Sequence, residues 1–281
     1  MLKLRAIGHD GLDAASDLLT KGFPSRTRDF WRRGLKRLLD HEGTAGAGPI
    51  GNFLMAGETP IGILLTITRS DKGTGRKVIN LSSWYVEESH RWYAPRMLLA
   101  AMSDSRATYT DLTPSKAATE LNNRLGFRTI DYDLPLFALP WLAIAGRRRG
   151  RLVALDAVPA GAIAEALMRD LRAHRDLGCI VTVIESGGRH HPLVFDVIRK
   201  KRIPLARVIY AESSDLVTDN LAILARLLLR HGVPLLCLQL PRGRHVPHAW
   251  RWKSGLRYQV KGEWDERIID ELYSERVLLK V

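Results

Sequence analysis

The chain has 281 residues, 46% of them hydrophobic, and a formal net charge of +13. That length suits two ordinary domains or one large one, and that apolar content excludes a disordered chain. No apolar run reaches the roughly 20 residues of a membrane-spanning helix, and the N-terminal MLKLRAIGHDGLDAA lacks the apolar stretch of a secretion signal, so a cytoplasmic protein without a membrane partner is expected.

The charge is uneven. Residues 1–140 hold 19 Lys and Arg against 15 Asp and Glu, and the remainder holds 24 against 15, so the excess is +4 in the first half and +9 in the second. Such a field favours anionic partners, among them a nucleotide cofactor or nucleic acid, although a solvated basic surface is the commoner origin. Cys179 and Cys237 each sit in an apolar, strand-like run and read as reduced core thiols. No Cys/His spacing matches a metal site, so no metal is expected.

In chain order, LKLRAIG reads as a strand, and Gly11–Lys21 and Thr27–His41 as helices with apolar residues at helical spacing. NFLMAG, TPIGILLTITR and KVINLSSWYV then read as antiparallel strands, turning at Gly57–Glu58 and at SDKGTGR. A helix is expected from about Pro95 to Asp104, because proline suits a first turn where its missing donor costs nothing. ATYTDLT is strand-like, Ser115–Leu125 is a helix stopped by Gly126, and FRTIDYDLPLFAL is extended. The basic connector AGRRRGR, Ala145–Arg151, marks the expected boundary between domains of residues 1–145 and 146–281.

The second half repeats this order more weakly: strand RLVALDAV, helix Pro159–Asp176, strand CIVTVIES, two extended runs interrupted near Arg199–Arg202, helix Asp219–His231, strand PLLCLQL and strand GLRYQVKG. MLLAAM pairs with ARLLLRH, DLTP with QLP, and LGFRTID with SGLRYQV, at nearly constant separation, which points to a duplicated unit.

Two motifs carry the chemistry. NLSSWYVEESHRWYAPRMLL, Asn80–Leu99, places a strand directly before a helix N-terminus, where backbone amides and the helix dipole favour an anion. LTPSKAATELNNRLGF, Leu112–Phe127, adds a strand end and a second helix closing on Gly126-Phe127. Together they resemble the acyl-CoA-binding half of the GCN5-related N-acetyltransferase superfamily. The resemblance implies an α/β (α+β) chain of two such domains, each a mixed, mostly antiparallel twisted sheet flanked by helices, the second degenerate. Its pyrophosphate loop, Gln/Arg-x-x-Gly-x-Gly/Ala, maps onto Arg91, Trp92, Tyr93, Ala94, Pro95 and Arg96. Here alanine replaces the first glycine, Pro95 removes one amide donor, and Arg91 and Arg96 offer charge-assisted bonds to phosphate.

On the second helix Ala118, Leu121, Gly126 and Phe127 match the family pattern, Ser115 holds its first position, and Asn122 stands where a thiolate-protonating Tyr is common. An amide is a poor general acid. The resemblance makes Tyr85 and Val86 cofactor contacts, with the Val86 amide polarising the thioester, Glu87 and Glu88 the candidates for relaying the amine's proton, and Asn122 a partner of the thiol or pantetheine arm. Tyr85, Tyr93 and Tyr132 are the candidate substitute acids, unranked by sequence. The implied activity is acyl transfer from acetyl-CoA or another acyl-CoA to an amine on a small molecule or protein, by a monomer (an internal pseudo-dimer) or a homodimer. The alternative is a non-catalytic protein of this fold that retains coenzyme A or binds an anionic partner such as tRNA. Arg242, Arg244, Arg251, Lys253 and Arg257, interleaved with Trp250 and Trp252, are the basic and aromatic residues on which that partner would stack.

Overall fold

The computed structural model describes residues 1–45, 48–70, 75–145, 150–251 and 255–280. The expected turn at residues 71–74, the connector core Gly146–Arg149, and Trp252 and Lys253 lie outside the described residues. The first elements are β1 (Leu2–Ala6), α1 (Leu12–Gly22), α2 (Arg28–Ala45), β2 (Gly51–Ala56), β3 (Thr59–Ser70) and β4 (Lys77–Val86). A 3-10 helix, Glu88–Tyr93, leads into α3 (Ala94–Ala101), followed by β5 (Thr108–Asp111), α4 (Lys116–Arg124) and β6 (Arg128–Asp133). Then come β7 (Pro135–Ala138), α5 (Leu139–Ala145), β8 (Arg151–Val153), α6 (Glu165–Asp176), β9 (Ile180–Ser186), β10 (Arg189–Lys200) and β11 (Ile203–Ala211). The chain ends with α7 (Ser214–Asp219), α8 (Leu221–Arg230), β12 (Leu235–Cys237), β13 (Leu240–Pro241), β14 (Ala249–Arg251), β15 (Leu256–Lys261), β16 (Ile269–Asp270) and α9 (Glu275–Leu278).

Two mixed sheets flanked by helices result. Contacts divide the chain into unit 1, Met1–Ile130 with Arg257–Trp264 and Tyr273–Val281, and unit 2, Asp131–Leu256 with Asp265–Leu272. In unit 1 the strand order is β1-β2-β3-β4-β5-β15-β6, with β4 and β5 parallel. In unit 2 it is β8-β9-β10-β11-β12-β7-β14, with β11 and β12 parallel. These seven positions follow the same order in both sheets, with β13 adding an eighth strand beside β6 in the first, and in each the strand beside the fifth comes from the other half of the sequence.

This topology revises one equivalence. β6 corresponds to β14 and β7 to β15, so LGFRTID does not match SGLRYQV. The path from β12 to β14 carries no helix corresponding to α4, which shortens the second copy and shifts its last strands.

The cores follow from the periodicities. In unit 1, Leu54, Leu64, Ile79 and Leu81 of the sheet pack with Met97 and Leu98 of α3 and with Phe127. In unit 2, α8 turns Leu221, Leu224, Ala225 and Leu228 onto Phe195, Val208 and Leu236. Cys179, just before β9, and Cys237, the last residue of β12, are buried, as their surroundings predict. α6 begins at Glu165, so Pro159–Ala164 is not helical as expected. Among the described residues no helix is long and apolar enough to cross a membrane.

Candidate active site

The site is built where two strands part. β4 and β5 pair at Val78–Thr108, Ile79–Tyr109 and Asn80–Thr110, and no further, while β4 runs on to Val86. A cavity of ≈ 500 Å³ opens there, within unit 1. Directly beside it the β3–β4 register slips: Ile63 faces Tyr85 and Leu65 faces Ser82, so Leu64 opposes both Ser83 and Trp84. Ser83 takes the left-handed conformation at φ 44°. A bulge of this kind bends a strand and re-aims its side chains, and Ser82 through Val86 all line the cavity.

Helix α4 forms a second wall. The Ser115 hydroxyl caps it, accepting from the Ala118 amide at 3.2 Å. Ala118, Leu121 and Asn122 share its cavity face by helical spacing. Asn122 is buried, and its Nδ2 donates to Asp111 Oδ2 at 3.0 Å.

The third wall corrects an expectation. The pyrophosphate loop is expected over Arg91–Arg96 with a helix from about Pro95, but the backbone is already helical from Glu88 and stays so through Ala101, 3-10 first and then α. The Ala94 amide donates to the Arg91 carbonyl, so that donor is spent inside the helix. Glu88 in the first turn suits the positive end of the helix, and Pro95 falls in the first turn of α3. Arg91 and Ala94 line the cavity. Trp92 is exposed, Tyr93 is buried in the core of unit 1, and the Arg96 guanidinium lies over the Tyr93 ring at 5.5 Å. Tyr85, Val86, Arg91, Ala94, Ser115 and Asn122 are therefore gathered on one cavity, whereas Trp92, Tyr93, Pro95 and Arg96 do not line it.

Glu87 and Glu88 also stand off the cavity lining. The Glu87 carboxylate pairs with Lys21 at 2.6 Å, and its amide donates to the Ile61 carbonyl. Glu88 is exposed, 4.0 Å from Arg91. Of the substitute acids, Tyr85 lines the cavity, and Tyr132 is buried in β6.

Two carboxylates do line the cavity: Asp111, the last residue of β5, and Glu275, the first of α9. Glu275 is buried. Its amide donates to Asn80 Oδ1 at 3.0 Å, and its carboxylate accepts from Ser82 Oγ and, at 2.7 Å, from Thr113 Oγ1. It thus ties β4 to the chain after β5 just past their last pair. Arg276 beside it donates to the Leu112 carbonyl and to the Tyr258 hydroxyl, and Val277 to Leu279 are fully buried behind. Burial, and next the negative charge of Glu275, push the Asp111 carboxyl up to about 7, against the hydrogen bonds from Asn122 and the Thr113 amide.

Asp111 had only weak sequence signal, as the first residue of DLTP. Glu275 had none, since the ERVLL that follows Ser274 reads like any short amphipathic end.

Unit 2 is built differently at the equivalent place. Its bulge persists, with the β10–β11 register slipping between Val194–Tyr210 and Phe195–Val208. The helix after β11 is α7, where Arg244 pairs with Asp215 and donates to Ser214 Oγ at 3.2 Å. Arg242 pairs with Asp131 at 3.3 Å. Two arginines of the expected basic surface therefore already meet carboxylates of their own unit. Trp250 is exposed. Among the described residues no group of three or more His, Cys, Asp or Glu is placed to hold a metal.

A bulged strand beside a parallel pair that parts over a cavity, within a sheet of this order, is the architecture of the GCN5-related N-acetyltransferases, and the chain has that fold. A GCN5-related N-acetyltransferase from Anabaena variabilis superposes with TM-score 0.59 at 10% identity, over 92% of this chain and 72% of its own. One from Kribbella flavida gives 0.56 at 12%, over 92% and 70%. The GCN5-related glucosamine N-acetyltransferase region of a fungal multi-domain β-N-acetylglucosaminidase gives 0.57 at 12%, over 93% and 38%. No family model and no curated protein matches the sequence.

Proposed function

We propose that unit 1 is an acyl-CoA-dependent N-acyltransferase, passing the acyl group of a coenzyme A thioester to an amine, and that unit 2 is a degenerate copy. The observation that carries this reading is the cavity at the β4–β5 parting, which gathers six residues that the family resemblance assigns to cofactor binding. Its volume lies in the range of ligand pockets, about 300–1,000 Å³. Bulged β4 presents backbone and side chains to a pantetheine arm, and Ser115 and Asn122 lie along its other side. Arg91, on an exposed stem at the cavity wall, is the cation for the diphosphate, taking over from the Ala94 amide. A fold relative named for acting on glucosamine makes small amines a natural first panel of acceptors.

The spent Ala94 amide favours a second reading, a protein of this fold that binds coenzyme A or another anion without turnover. Two measurements separate them. A thermal shift with acetyl-CoA reports binding, and thiol release with a panel of amines reports transfer. Arg91→Glu should weaken acetyl-CoA binding by about 10–100-fold, the worth of a charge-assisted hydrogen bond. Undiminished binding by that variant rules out Arg91 as the phosphate contact, and thiol release at background with tight binding favours the second reading.

A further inference from the structure

Asn122 stands where an acid is expected and cannot protonate a leaving thiolate, yet it is not idle: buried, it holds Asp111 by a 3.0 Å hydrogen bond at the cavity wall. Glu275 faces the same cavity from α9, with its carboxylate held by the Ser82 and Thr113 hydroxyls and its amide by Asn80. The catalytic candidates suggested by sequence, Glu87 and Glu88, stand off this lining. Resting on the acyltransferase reading, we propose that Asp111 is the catalytic acid–base of unit 1, taking the proton from the amine and returning it to sulfur, with Glu275 as the positioning residue that keeps it proton-ready.

The step balances with an acyl-CoA thioester and an amine as the only reactants. The amine nitrogen attacks the thioester carbonyl carbon and a C–N bond forms. The nitrogen releases one proton to the Asp111 carboxylate. The C–S bond breaks and its electron pair leaves with sulfur. Asp111 then delivers the proton to the thiolate, giving amide and thiol and restoring the carboxylate. One carboxyl group near neutrality serves both transfers, so no tyrosine is required at position 122.

The charged surroundings fit this role. Burial raises the proton affinity of Asp111, and the charge of Glu275 on α9 adds to it; Asn122 on α4 and the Thr113 amide oppose them. Arg91 and Arg26 line the same cavity from the walls around it. A carboxyl whose proton affinity is raised toward neutrality can both take a proton from nitrogen and give one to sulfur.

The test is steady-state acetyl transfer across pH with an amine that the parent accepts, alongside acetyl-CoA affinity by calorimetry. Asp111→Asn should keep acetyl-CoA affinity within about threefold and lose about 10²–10⁴ in kcat. In the parent, kcat/KM should rise with pH through about 7, because Asp111 must be ionised to accept the proton. Glu275→Gln removes the neighbouring charge, so this limb should move to lower pH, a shift that the amine's own titration cannot produce. Parent-like kcat in Asp111→Asn, or an unmoved limb in Glu275→Gln, overturns the proposal. If the parent binds acetyl-CoA but transfers to no amine, the acyltransferase reading fails and the proposal falls with it. If only the variants fail to behave as stated, that reading survives.

Discussion

Glu42 shows what a single buried carboxyl does to this fold. It lies on α2, 3% exposed, with Oε1 accepting from the Thr68 amide of β3 at 2.9 Å and Oε2 without a hydrogen-bond partner among the described residues. Burial pushes its carboxyl up to about 7 from 4.5, against the Thr68 hydrogen bond and the charge of Lys77. The folded state thus holds a proton that the unfolded chain releases near 4.5. The protonated form's contribution is complete below that value and is lost as pH rises through about 7. Glu42→Gln keeps an oxygen for the Thr68 amide and abolishes the titration. Relative to the parent it should gain on the order of 2–3 kcal/mol between pH 5 and pH 8. Urea unfolding at the two pH values checks this, and a pH-independent difference would show that Glu42 ionises in the fold as it does in water.

At the scale of elements, α1 and β4 meet through a glycine. A Cβ on Gly22 would sit 2.5 Å from Tyr85 Cγ and 2.8 Å from its Cβ, at the base of the side chain rather than at a flexible tip. Tyr85 lines the cavity, so the closeness of α1 to the bulged strand sets where one wall stands. Gly22→Ala should destabilise by about 1–3 kcal/mol through overpacking and should weaken acetyl-CoA binding as the ring shifts. Denaturant unfolding and calorimetry together test it, and a stable variant with parent affinity would mean that β4 yields freely there.

The elements themselves were largely legible in the sequence. The alternation of TPIGILLTITR and KVINLSSWYV, and the Ser115 cap with the Gly126 stop, are local signals, and they place β3, β4 and α4. The helix at Pro95 was legible from its proline, but the 3-10 helix that leads into it over Glu88–Tyr93 was not, because that segment reads equally well as a loop. The hairpin at Lys201–Arg202 left only an interruption as its trace, since both residues adopt positive φ, 48° and 70°, without the Asn or Gly that usually announces it. Glu275 was invisible for another reason. Its partners Asn80, Ser82 and Thr113 lie more than 160 residues away in sequence, and no local pattern encodes such a contact.

For the whole molecule, the exchange of strands matters most. β15, from the end of the chain, completes the unit 1 sheet between β5 and β6, and β7, from the first half, completes the unit 2 sheet between β12 and β14. A cut at residues 145/146, where the basic connector suggests a domain boundary, leaves β7 on the first fragment and β15, with α9 and Glu275, on the second. Each fragment then lacks the strand beside its fifth, so β5 and β12 are left with unpaired edges inside what should be continuous sheets, and such edges promote aggregation. The first fragment also loses Val277, Leu278 and Leu279, fully buried in the intact chain. Separately expressed, both fragments should be aggregated or lack cooperative unfolding. Co-expressed, they should recover a soluble complex with the parent's circular dichroism, because each carries the strand that the other needs. Size-exclusion chromatography and thermal unfolding of the fragments, alone and together, decide the matter: a 146–281 fragment that unfolds cooperatively by itself would mean that β7 is dispensable to unit 2, and that the exchanged strands decorate two finished sheets instead of completing them.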